Sequence, residues 1–207
     1  MWFRWTVFTV GLMVMSLGIA LMIRAELGSA PWDVLHVGLF LNFGLTVGTW
    51  TILMGFLLLL LSALITKQLP KLGAYANMLV VGLFVDMFLF LIPAPELLVF
   101  QLLFLFFGIG IMGFGIGIYI SPQMGAGPRD SVMLAIAERT PLSVARVRLY
   151  MEGSVLIIGW LIGGPVFIGT IIFSLAIGHI TAWSLTICRN WMNHRMEERG
   201  MHIENIN

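Results

Sequence analysis

Four ionisable side chains stand inside stretches that are otherwise hydrocarbon: Asp86 in VVGLFVDMFLFLI, Arg148 and Glu152 in RLYMEGSV, and His179 in SLAIGHITAW. Charge at membrane depth is costly and by default marks an ion, proton or solute pathway. Asp86 sits near the outer end of its stretch, where His36 and Arg24 are its expected partners, and a carboxyl in apolar surroundings can hold a proton. Arg148 and Glu152 are one helical turn apart, a spacing that serves either to lock a helix or to line a route. Arg146, nearer the inner edge, can snorkel. His179 can shuttle a proton, bond a solute or satisfy itself on a neighbouring carbonyl. A second group is framed by glycine and proline. LGSAPWDVLH at 27–36 and MGAGPRDSVM at 124–133 share the order G-x-x-P-x-D at an offset of 97 residues. Proline at the first helical position loses no hydrogen bond, and an aspartate two residues later can answer the positive helix end. Asp33 and Asp130 therefore read as caps or as the border of a pathway. Together with His36 and Arg129 they complete the candidate pathway set, and Gly28, Pro31, Gly125, Gly127 and Pro128 shape the turns.

These residues need elements to hold them. The chain is 59% AVILMFWYC and 10% charged, with net charge +1, and its mean hydropathy is +1.00. A soluble domain carries roughly 25% charged residues, so the expected fold is an all-α polytopic membrane helical bundle. About 20 apolar residues cross a bilayer core, and six stretches qualify: 5–23, 46–66, 73–92, 98–120, 143–163 and 165–188. Two shorter segments, 31–42 and 128–139, would reach only about 18 Å as helices, and are expected to be interfacial or half-inserted. The first stretch opens MWFRW without a small-x-small cleavage site and is expected to stay as a span. With the N-terminus inside, ten of the eleven Lys and Arg fall on the inner side or its edge, Arg24 being the exception. That is the positive-inside pattern, and both termini are expected in the cytoplasm.

Under the 97-residue shift, Leu27–Gly48 aligns without a gap. Gly28, Pro31, Asp33, Leu45 and Val47 meet Gly125, Pro128, Asp130, Leu142 and Val144. Gly11 and Gly18 meet Gly108 and Gly115, and Gly82 meets His179. Three spans per half would turn the second copy upside down. The expected organisation is a first membrane repeat at 1–96, an inverted second repeat at 97–190 and a short cytoplasmic tail at 191–207. One G-x-x-P-x-D turn would then face outside and the other the cytoplasm, a framework for alternating access. Arg129 replaces Trp32 in the second copy, making one mouth aromatic and the other cationic. Arg129 is expected to touch lipid phosphate and enforce topology, with attraction of an anionic solute as the other reading. Gly113 and Gly117 offer a small-residue face, and Gly11 and Gly18 a matching one, which predicts close packing of the first and fourth spans.

Cys188 stands alone, so neither a disulfide nor a cysteine metal cluster is expected, and His194 and His202 are too loosely spaced for a metal site. No phosphate loop, H-E-x-x-H or G-x-S-x-G motif is present, and no tail is charged enough to suggest nucleic acid. No catalytic residue, cofactor or metal is expected. On LGSAPWDVLHVGL, the G-L-T-V-G of 44–48, MGAGPRDSVM and the Arg146–Glu152 segment, the chain resembles the bacterial YczE/YyaS/YitT-type integral membrane proteins, the YczE branch above all, over residues 5–188. The resemblance implies an inner-membrane protein without an agreed substrate; some members of the branch are linked to production of secreted lipopeptides.

The leading functional expectation is a small permease-like secondary transporter for an unidentified small solute or ion. The alternative is a non-transport accessory or regulatory protein, for example one supporting lipopeptide production. A membrane-embedded lipid-modifying enzyme comes third, because the acidic residues are dispersed. Membrane lipid is the certain neighbour of such a bundle, and a homodimer could enclose a pathway.

Overall fold

Apolar runs between glycine, proline and polar breaks become helices throughout the described part, residues 1–197 of a computed structural model. There are eight among the described residues: α1 (Trp2–Ala25), α2 (Pro31–Phe43), α3 (Val47–Thr66), α4 (Leu72–Leu91), α5 (Leu98–Ile120), α6 (Pro128–Arg139), α7 (Val144–Leu161) and α8 (Ile168–Glu197). Every expected stretch has a helix within a few residues of it, except that α8 continues through the first residues of the expected tail. His202 and the rest of residues 198–207 lie outside the described residues. Local chemistry sets the helix starts. Pro31 and Pro128 occupy the first turns of α2 and α6, while Thr46 and Ser143 accept the amides of Thr49 and Arg146 and so cap α3 and α7.

The protein is an all-α polytopic membrane bundle. Five helices, α1, α3, α4, α5 and α8, are long and apolar enough to cross a bilayer. The remaining expected span, α7, has 18 residues and carries Arg146, Arg148 and Glu152. Its charges, more than its length of about 27 Å, set it apart from the other five. Leu53, Phe56, Leu57, Leu60, Phe106 and Phe107 point outward, the arrangement expected of a bundle whose solvent is lipid.

At the centre α1 and α5 run antiparallel in close contact. A Cβ at Gly11 would meet the backbone of Tyr119, and one at Gly18 that of Met112. The same contacts recur with the halves exchanged: Gly108 lies against Met22 and Gly115 against Met15. Burial follows the same offset, with Phe8, Leu12, Met15 and Met22 matched by Leu105, Ile109, Met112 and Tyr119. Small residues let helices approach where lipid supplies no hydrophobic driving force. The expected partners of Gly113 and Gly117 are corrected here: they face Ile180 and Ser184 of α8, not α1. A small-residue stripe fixes that a helix packs closely, and its angular position decides against which neighbour.

Around this pair, α4 packs on α1 and α8 on α5, while α2 lies against α7 and α6 against α3. Trp32, Leu35, Leu58, Val132 and Val155 join α2, α3, α6 and α7 in a second apolar cluster. One pairing departs most from this exchange of halves. α3 and α4 pack along each other, whereas α7 and α8 scarcely meet.

Candidate functional site

The two G-x-x-P-x-D turns share a backbone path. Glu26 and Gln123 adopt left-handed angles, φ 55 and 54, and Gly28 and Gly125 follow at φ 102 and 138. A side chain at either glycine would be strained. The chain then extends through Ala30 or Gly127 into Pro31 or Pro128 and a new helix. Both helix starts line one central cavity of about 200 Å3. Its walls include Met15 and Ile19 of α1, Met112 and Tyr119 of α5, and Phe173 of α8.

Arg129 joins the halves. From the first turn of α6 its guanidinium lies 5.0 Å from the ring centroid of Trp32 and 3.9 Å from Asp33 Oδ1. In place of the expected contact with lipid phosphate, the side chain meets these two residues and lines the cavity. Asp33 is 2% exposed and also lies 3.9 Å from His36 Nδ1. The Arg129–Asp33 contact at 3.9 Å is thus an ion pair without a hydrogen bond, and the His36–Asp33 contact is one only when the ring is protonated. Asp33 Oδ2 and His36 Nε2 have no hydrogen-bond partner among the described residues. Asp33 and Asp130 stand in the first turns of α2 and α6, where the positive helix ends lie, and the Asp33 carboxyl also lies beside Arg129.

His36, also 2% exposed, lines the cavity. Its Nδ1 is 3.1 Å from Thr51 Oγ1, and the Thr51 hydroxyl is 3.0 Å from the Val47 carbonyl. When that hydroxyl serves the carbonyl, His36 Nδ1 donates and Nε2 is an acceptor. When it serves His36, Nε2 carries the proton and becomes a donor.

Asp130 lines the same cavity beside the Tyr119 hydroxyl. Arg148 and Glu152 form the pair their spacing predicts, at 2.9 Å, on the cavity wall. Both are partly exposed, 55% and 36%, so the pair adds little to stability; its place in the wall gives it interest. The cavity thus unites Arg129, Asp130, His36, Arg148 and Glu152, with Asp33 directly behind Arg129.

Two candidates lie elsewhere. Asp86 accepts from Thr46 Oγ1 at 2.5 Å and the Gly48 amide at 2.7 Å, holding the head of α3. Its expected partners are otherwise engaged: Arg24 donates to the Leu89 carbonyl and His36 meets Thr51. His179 is exposed on α8, with Nδ1 3.2 Å from the Leu175 carbonyl one turn back. Thr51, Asn77, Tyr119 and Thr181 line the cavity without having been singled out. Asn77, a lone amide in an apolar run, carried a usable signal. So did the pairing of Met15 with Met112 under the 97-residue shift. Six methionines line the cavity, a soft wall able to reshape around a ligand. No cluster of His, Cys, Asp or Glu among the described residues could hold a metal ion.

Residues 2–186 match the family described as "Family of unknown function (DUF6198)". The chain is 39% identical to the "Uncharacterized membrane protein YczE" of Bacillus subtilis over 97% of its length and 94% of that protein. It is 34% identical to an "Uncharacterized protein" of Haemophilus influenzae, covering 85% of this chain and 80% of the other. With the "Uncharacterized protein YyaS" of B. subtilis it shares 29% identity over 82% of this chain and 86% of that one. No solved structure matches.

Proposed function

This chain belongs to the DUF6198 family, within the YczE/YyaS/YitT-like bacterial membrane proteins, and we propose that it is a small secondary transporter working by alternating access. In this reading residues 1–96 and 97–190 are inverted repeats, α7 is the sixth crossing, both termini are cytoplasmic, and α2 and α6 are half-inserted helices. The observation that carries it is the Arg129 bridge: the start of the second repeat's short helix reaches Trp32 and Asp33 at the start of the first repeat's. Broken or short helices meeting at a shared cavity are the usual site architecture of inverted-repeat transporters. Support for the repeat comes from the matched turn angles and from the α1–α5 contacts, which survive exchange of the halves.

The state observed fits an inward-facing one. With the termini inside, Arg148, Glu152 and Thr181 flank the loose α7–α8 seam in the cytoplasmic half, while the α3–α4 seam is shut. Exchange of the two arrangements would present the same cavity to the outside. Thr181 and its counterpart Phe84 (97 residues earlier) probe this in a Cys188→Ser background. A cysteine at 181 should react with impermeant thiol reagents from inside, and one at 84 from outside. A solute that slows one reaction and speeds the other supports alternation. Labelling at both sites that no solute or gradient alters removes the basis for it, and the accessory-protein reading then takes its place.

A further inference from the structure

We propose that the cavity binds a small organic monoanion with an apolar body, held by Arg129 between the starts of α2 and α6, and that Asp33 takes up one proton as the anion enters. This deepens the transport reading by naming its substrate class, yet binding and proton uptake can be measured without transport.

The donor side of the site is built and unspent. A guanidinium carries five N–H donors, and Arg129 makes no hydrogen bond among the described residues; it rests over Trp32 and 3.9 Å from Asp33. His36 lines the cavity, and its Nε2 is buried without a partner among the described residues. Two helix starts, each equivalent to about half a positive charge, line the same space. A planar carboxylate or a sulfonate suits a free guanidinium fork. An organic cation does not, because Arg129 already covers the Trp32 face. The rest of the ligand meets methionines such as Met15, Met54 and Met151, together with Phe173. A dry cavity of about 150 Å3 holds benzene, so about 200 Å3 admits a small ring or chain with its charged group.

Charge balance brings in the proton. The groups facing the site are Arg129 and Asp130 from α6, Arg148 and Glu152 from α7, Asp33 and His36 from α2, and Tyr119 from α5. With His36 and Tyr119 neutral and the rest ionised, two positive charges face three negative ones, and the two helix starts supply about one more positive charge. The empty cavity is then close to neutral, and an anion leaves it one charge negative in a medium where that is expensive. Arg148 is committed to Glu152 at 2.9 Å, whereas Asp33 holds its only cation at 3.9 Å and leaves Oδ2 without a partner. A proton from water forms an O–H bond at that oxygen, and Arg129 is released to the incoming anion. Charge neutrality is restored, with no other bond made or broken.

Benzenesulfonate tests this directly, because it stays charged across the working pH range and does not cross lipid as a neutral acid. Calorimetric titration of the full chain in nanodiscs, in buffers of different ionisation enthalpy, reads both affinity and protons taken up. Saturable binding with close to one proton per anion is expected near neutral pH, and trimethylphenylammonium, of similar shape and opposite charge, should bind far more weakly. Arg129→Gln should weaken benzenesulfonate about 10- to 150-fold, the loss of a hydrogen bond to a charged group. Asp33→Asn should still bind while proton uptake falls to near zero, and His36→Gln should keep the uptake; unchanged melting confirms that each variant is folded. Binding without proton uptake overturns the proposal, as does equal binding of the cation or uptake that survives Asp33→Asn and disappears in His36→Gln. Absence of saturable binding by both benzenesulfonate and methanesulfonate overturns it too. Protein that binds with proton uptake but moves no solute in liposomes upholds this proposal and defeats the transport reading.

Discussion

The seam between α3 and α4 and the seam between α7 and α8 sit at equivalent places in the two halves of the sequence, yet one is closed and the other barely made. A Cβ at Gly48 would meet the Gly82 carbonyl and the Asp86 carboxyl, and one at Gly55 would meet Met78. Ninety-seven residues on, those positions hold Ala145, Glu152 and His179 in place of Gly48, Gly55 and Gly82. Glycine lets the first pair of helices share backbone contact. In the second pair those positions carry a carboxylate and an imidazole, and Glu152 turns to Arg148 in the cavity wall. The comparison teaches that repeated backbone geometry can carry two different seams, with residue size setting how tightly each one shuts.

The largest expected effect comes from spoiling the closed seam. Gly48→Val should cost about 1–3 kcal/mol, the range for overpacking a tight contact, read as a fall in thermal midpoint in nanodiscs. Ala145→Val, at the exposed equivalent, should stay within about 0.5 kcal/mol; equal losses would erase the distinction between the seams. Next comes the converse change. Glu152→Gly with His179→Gly gives α7 and α8 the small residues of α3 and α4, and should slow thiol labelling of a cysteine at Thr181 about tenfold, as a bias of about 1.4 kcal/mol toward closure would. Unchanged labelling would mean that residue size does not hold this seam apart. Asp86→Ala should cost about 1 kcal/mol, as loss of a helix cap does, since Asp86 holds Thr46 and the Gly48 amide. His179→Ala, at the exposed position, should change stability by less than about 0.5 kcal/mol.

Helix positions were legible because hydropathy and the proline and glycine breaks act locally. Pro31 and Pro128 announced their helices, while the caps Thr46 and Ser143 of the next two were not read as such. Position along each helix was legible as well, but direction around the helix axis was not. Asp86 and His179 lie in apolar segments as expected, yet Asp86 turns to the head of α3 and His179 to its own helix and the exposed surface. Arg148 and Glu152, in contrast, lie on the face of α7 that meets the cavity. Arg129 was the hardest to place. In sequence it reads as an interfacial cation, and only the folding of α6 toward α2 brings it to Trp32 and Asp33, residues almost one hundred positions earlier. The loose α7–α8 seam was also hidden, because composition says what a helix face offers and not whether a neighbour arrives.

In the proposed reading a head-to-tail arrangement of the halves underlies both seams and the shared cavity. Its most direct test places single cysteines at Phe43 and Thr140, exposed positions 97 residues apart at the ends of α2 and α6, in protein lacking Cys188. Impermeant thiol reagents applied to sealed vesicles of each orientation should label position 43 only from the periplasmic face and position 140 only from the cytoplasmic face. Labelling of both positions from one face would contradict the account.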